Sequence, residues 1–188
     1  MVKKINRKIS QDKILTVAYS IVLNVFKRNI STRKTKTLKY SSLKNADKAK
    51  CNDLVQNVLR FTVYLDPWIN KNKKGRLRIE LLCLVRLALI DIFIRNVRQE
   101  TVLKKYSDLA ASYERTKHSK DQLRYLIHLA YSHLDNKPLN PIFLFEKKLR
   151  ENLLNQYCLE DVKKMEKIFS KPPQIDLYLK KGASKKSY

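Results

Sequence analysis

One stretch constrains this chain more than any other: Ile79–Ile94, in which 13 of 16 residues are apolar. It is too short to cross a bilayer, and Glu80, Arg86 and Asp91 interrupt it. A helix with apolar residues on nearly every side must be wrapped by other elements. The segment therefore predicts a central helix, over about 77–95, surrounded by amphipathic neighbours.

The rest of the chain supplies those neighbours. Ile14, Leu15, Val17, Ala18, Ile21, Val22, Val25 and Phe26 form one face of a helix predicted at about 11–28. Lys13, Thr16, Ser20, Asn24 and Lys27 form its opposite stripe. That alternation, and the absence of a small-residue cleavage site before Lys27-Arg28-Asn29, argues against an export signal. A polar loop is expected at 29–45. A second helix follows at about 46–62, with Ala49, Leu54, Val55, Val58 and Leu59 inward. A short third segment at 63–70 has Asp66 placed to cap a turn that Pro67 begins. Residues 71–78, with Gly75, read as a second loop. A fifth helix is expected at about 99–114, with Tyr106 and Tyr113 among its inward residues. Ser119-Lys120-Asp121-Gln122 reads as a capping box opening a sixth helix at about 120–135. Asn140-Pro141 starts a further helix to about 157, and a short one covers 160–169. Lys171-Pro172-Pro173 breaks the pattern, and Ile175–Leu179 alternates like a lone strand. Residues 181–188 read as a disordered tail.

The chain carries 41 Lys+Arg and 17 Asp+Glu, a net charge of +24. Residues 1–50 hold 14 of the basic and only 2 of the acidic side chains. A lysine-rich composition explains Lys standing in for Arg but not that shortage of acids. Self-repulsion on this scale points to a polyanionic partner. Glycine occurs twice, at Gly75 and Gly182, so no phosphate-cradling glycine loop can be built. His118, His128 and His133 are the only histidines. The last two lie roughly 140° apart on a helix, so they do not share a metal-facing side. Cys51, Cys83 and Cys158 are odd in number and widely spaced, which predicts buried free thiols in a reducing cytoplasm. No catalytic residue, metal ligand or cofactor is assigned.

Two basic clusters stand out: Lys27, Arg28, Arg33, Lys34, Lys36 and Lys39 in one, and Lys71, Lys73, Lys74, Arg76 and Arg78 in the other. Cations on loops beside rigid helices neutralise phosphates and release counterions. Arg60, Arg86 and Arg95 interrupt apolar stretches. Two readings stay open for them: pairing with Asp53, Asp91 or Glu80, or projection toward a bound strand. The residues assigned to RNA contact are Lys27, Arg28, Arg33, Lys34, Lys36, Arg60, Lys73, Lys74, Arg76, Arg78 and Arg86.

Residues 48–60 with Leu65-Asp66-Pro67-Trp68-Ile69 resemble the second and third helices of NusB-type RNA-binding domains. Arg78–Ile94 resembles the long central helix of that fold, and Thr101–Ala111 the helix after it. Residues 141–180 are similar to the junction that follows the NusB-like domain in the RsmB (Sun/Fmu) ribosomal RNA cytosine-5 methyltransferases. There a Pro-Pro strand opens a further small subdomain. The resemblance implies an all-α, NusB-like bundle of about six to seven helices at 1–137. A helical extension and one orphan strand then occupy 138–180. It implies binding of ribosomal RNA, with a ribosomal protein or a separate methyltransferase domain as possible partners, and no membrane. Two alternatives accompany it: a NusB-type antitermination factor, or a fragment of a split methyltransferase. Methyl transfer itself has no residue to carry it. The family's glycine-rich cofactor loop is missing, and no cysteine here follows a proline.

Overall fold

The computed structural model describes residues 2–134 and 147–170. Among them are eight α-helices, two 3-10 turns and no strand: α1 (Val2–Arg28), α2 (Thr32–Lys39), a 3-10 turn (Tyr40–Ser42), α3 (Asn45–Asn72), α4 (Ile79–Phe93), α5 (Gln99–Ala111), a second 3-10 turn (Lys117–Ser119), α6 (Lys120–Ser132), α7 (Lys147–Leu154) and α8 (Leu159–Ser170). The expected orphan strand and the start of the helix at Asn140-Pro141 lie outside the described residues.

α4 is the axis, as its composition demands. Every residue of Cys83–Phe93 is buried, including Arg86 and Asp91. α1, α3, α5 and α6 all pack on it. α1 contributes Leu15, Ala18, Tyr19, Ile21 and Val22, and α6 contributes Leu123, Leu126, Ile127 and Ala130. Each fully buried Leu or Ile side chain stabilises such a core by about 1.5–3 kcal/mol relative to leaving it in water. Both α1 and α4 end on an asparagine in the left-handed region, Asn29 (φ 51°) and Asn96 (φ 49°). Val97 N donates to Asp91 O at 2.9 Å, closing the second of these caps.

Three charged residues of α4 are buried, Glu80, Arg86 and Asp91; neighbours meet the last two, although Arg86 Nη1 is buried with no hydrogen-bond partner among the described residues. Asp91 is fully buried and accepts from Lys105 Nζ (2.8 Å), Tyr106 Oη (2.9 Å) and Arg95 Nη1 (3.1 Å). Arg86 donates to Asp66 in fork geometry, Nε to Oδ1 at 2.8 Å and Nη2 to Oδ2 at 2.6 Å. The Phe26 ring covers its guanidinium at 4.0 Å.

Several local expectations are corrected here. The basic segment after α1 is helical: Lys34 N donates to Ser31 Oγ, which caps α2, and Thr35 is buried beneath it. The two helices expected around Pro67 are one helix, α3, with Pro67 inside it. Asp66 caps no turn, because Arg86 takes its carboxylate. Ala49 is exposed, and Cys51 occupies the inward position instead. Ser119 makes no side-chain cap, and Gln122 reaches across to Lys74 O. Of the three thiols, Cys51 and Cys83 are buried but Cys158 is exposed. α7 and α8 pack on each other, with Val162 and Glu166 buried and Arg150 Nε 3.7 Å from Glu166.

Candidate nucleic-acid interface

The helix directions decide which basic residues meet. α3 and α4 are antiparallel across residues 73–78, and α5 runs back along α4. The C-terminal ends of α1, α3 and α5 therefore gather at the N-terminal ends of α4 and α6. Contacts mark the junction: Lys27 Nζ of α1 and Arg115 Nη1, just beyond α5, both donate to Glu80 Oε1 of α4, at 2.5 and 2.8 Å. Gln122 of α6 bonds the carbonyl of Lys74.

The connection at 73–78 is held at several points. Lys73 N donates to Ile69 O at 2.8 Å, closing α3, and Leu82 N donates to Arg78 O at 2.9 Å, opening α4. Between them Gly75 turns the chain at φ +73°, a conformation that side chains with a Cβ rarely adopt. Lys74 Nζ lies 4.3 Å from the Tyr125 ring centroid, a cation–π contact. Arg76 and Arg78 are left exposed on a fixed support, and neither makes an ion pair among the described residues.

Glu80 is the electrostatic centre of this end. Its side chain is only 9% exposed. The hydrogen bonds from Lys27 and then Arg115 outweigh the cost of burial and lower its pKa to about 2. It is thus ionised at neutral pH and holds two cations from two other elements in place.

Two clefts open on either side of that ion pair. One, of about 540 Å³, is lined by Tyr19, Leu23, Asn24, Arg28, Tyr113 and Arg115 among others. The second, of about 680 Å³, is lined by Arg76, Leu77, Arg78, Ile79 and Leu82. Lys27 and Glu80 belong to both. Their walls together carry five cationic side chains against two carboxylates, Glu80 and Glu114.

The residues assigned from sequence therefore divide. Lys27, Arg28, Lys73, Lys74, Arg76 and Arg78 come together at this end. Arg33 and Lys34 follow on α2, exposed. Lys36, also on α2, is half-buried and bonds Asn52 Oδ1 of α3. Arg60 lies half-buried on α3, away from the loop, with no ion pair among the described residues. Arg86 stands apart: its side chain is 6% exposed and its fork is spent on Asp66. The option of pairing holds for Arg86, with a partner other than the three expected, and for Arg95, which bonds Asp91 and Asp53. Arg115 and Tyr113 also line the first cleft, and neither is among the residues assigned from sequence, where Tyr113 reads as a core residue at helical spacing. Their place beside Glu80 depends on how α5 packs against α4, which no local pattern encodes.

The described residues contain no group of three or more His, Cys, Asp or Glu placed to hold a metal ion. No helix among them is long and apolar enough to cross a membrane. No family model, curated protein or solved structure matches the chain.

Proposed function

We propose that this chain is a NusB-like RNA-binding module, akin to the front domain of RsmB-type ribosomal RNA methyltransferases, and that it grips RNA by the cationic end of its bundle. One observation carries the reading: Lys27, Arg28, Arg76, Arg78 and Arg115, far apart in sequence, line two adjoining clefts at that end. Glu80 ties two of them, Lys27 of α1 and Arg115 just beyond α5, to the start of α4. Phosphate contacts of this kind supply most of the affinity of a nucleic-acid binder. The all-helical architecture around an apolar axis is compatible with the resemblance of residues 48–111 to NusB-type domains. The role assigned is binding, not methyl transfer.

Filter binding of the full chain to fragments of small-subunit ribosomal RNA tests this. Saturable binding that outcompetes an excess of heparin-displaceable, non-ribosomal RNA is the expected result. Equal affinity for every RNA offered, or no retention, would overturn the ribosomal assignment.

A further inference from the structure

We infer that the cleft beside Tyr113 is a pocket for an unpaired nucleotide of the bound RNA, a reading that rests on the proposed RNA-binding role and narrows its substrate to single-stranded or looped RNA. At about 540 Å³ the cleft falls within the size range of small-ligand sites, and it is far larger than an ion needs. Its walls differ from a simple phosphate patch. Tyr113 offers a half-buried aromatic ring, Leu23 an apolar wall and Asn24 an amide able to donate and accept at a base edge.

The ring is supported from behind. Tyr19 is buried, and its ring centroid lies 5.0 Å from that of Tyr113 at a tilt of 58°. A base stacking on Tyr113 therefore meets a surface that is already fixed. Every base presents a π-face, so such stacking accepts any sequence but only an unstacked base. A duplex cannot supply one without opening.

The charges around the cleft fit a strand entering and leaving it. Lys27 and Arg115 share the single carboxylate of Glu80, which fixes them as one wall and leaves that wall net positive. Arg28 on the rim, and Arg76 and Arg78 in the adjoining cleft, make no ion pair among the described residues. A nucleotide seated on Tyr113 places its flanking phosphates at those arginines, on the two sides of the Lys27–Glu80 bridge.

The test compares a short single-stranded RNA with a blunt duplex of the same length, by fluorescence anisotropy, on the full chain. Tyr113→Leu is expected to weaken single-strand binding about tenfold, the loss typical of one stacked base, and to leave duplex binding unchanged. Tyr113→Phe keeps the ring and is expected to keep the affinity. A second measurement needs no variant: photocrosslinking a 4-thiouridine-substituted single strand to the wild-type chain should label peptides containing Asn24 or Tyr113. Equal losses on both RNAs with Tyr113→Leu, or crosslinks confined to 32–39 and 73–78, would overturn the pocket while leaving a cationic RNA surface standing. Failure of both RNAs to bind would remove the RNA-binding reading and the pocket with it.

Discussion

Glu80 is one residue with two tasks, and its chemistry makes them separable. Its carboxylate keeps Lys27 and Arg115 in place, and those hydrogen bonds lower its pKa to about 2. A carboxylate whose folded pKa lies below its unfolded value contributes stability that is present above the unfolded value, near 4.3, and lost as pH falls toward the folded one. Glu80→Gln should therefore cost about 2 kcal/mol in urea unfolding at neutral pH. This is below the full linkage value because Lys27 and Arg115 remain partly solvated. The gap between wild type and variant should narrow as pH drops from about 4 toward 2. A gap that stays constant with pH would mean that Glu80 stabilises through packing alone. Arg86 is the contrasting case at this scale. It and Glu80 interrupt the same apolar run, but Arg86 faces Asp66 and Phe26 inside the bundle. The sequence marks both as out of place; only the partner, 20 residues away, distinguishes a core arginine from a surface one.

Among the elements, α4 is the most legible from sequence, because an apolar run of that length has few ways to satisfy itself. The faces of α1, α5 and α6 follow from their spacing for the same reason. The segments around α2 and Pro67 depart from expectation for opposite reasons. Residues 29–45 are mostly polar, and their few inward residues, Thr35 and Leu43 among them, follow no helical apolar period, so the helix there rests on the Ser31 cap and on packing against α1. Pro67 is a strong local breaker, but α3 continues through it because Leu65 and Ile69 are buried on one side and Trp68 meets Phe93 edge-on at 5.8 Å. Tertiary packing outweighs the lost backbone hydrogen bond. Replacing Pro67 with alanine should therefore stabilise the protein, by about 1 kcal/mol or more, since it restores a donor to the Val63 carbonyl in a helix that is already continuous. Thermal unfolding monitored by circular dichroism checks this. A lower Tm for Pro67→Ala would indicate that the proline sets a needed bend.

For the whole molecule, the distribution of charge matters more than its total. The net charge of +24 is the ground for proposing a polyanionic partner, but it gives no location. The location comes from topology: alternate helix directions bring the ends of α1, α3 and α5 to the starts of α4 and α6, where loop cations from three parts of the chain meet. The basic loops are visible in sequence, but their union with Arg115 and with the Tyr113 cleft is not, since it depends on long-range packing. The most direct test is the dependence of log Kobs on log salt for a single-stranded RNA, for wild type and two paired variants. Arg76→Ala/Arg78→Ala removes two cations from the cationic end. Arg98→Ala/Lys104→Ala removes two exposed cations, one at the N-cap of α5 and one near its middle. With several phosphates neutralised at the cationic end, the wild-type slope should be steep, and the first pair should flatten it by about 1.4, at roughly 0.7 for each phosphate left without its cation. The second pair should leave it unchanged. Equal flattening by both pairs, or a wild-type slope near zero, would contradict a defined RNA-binding end.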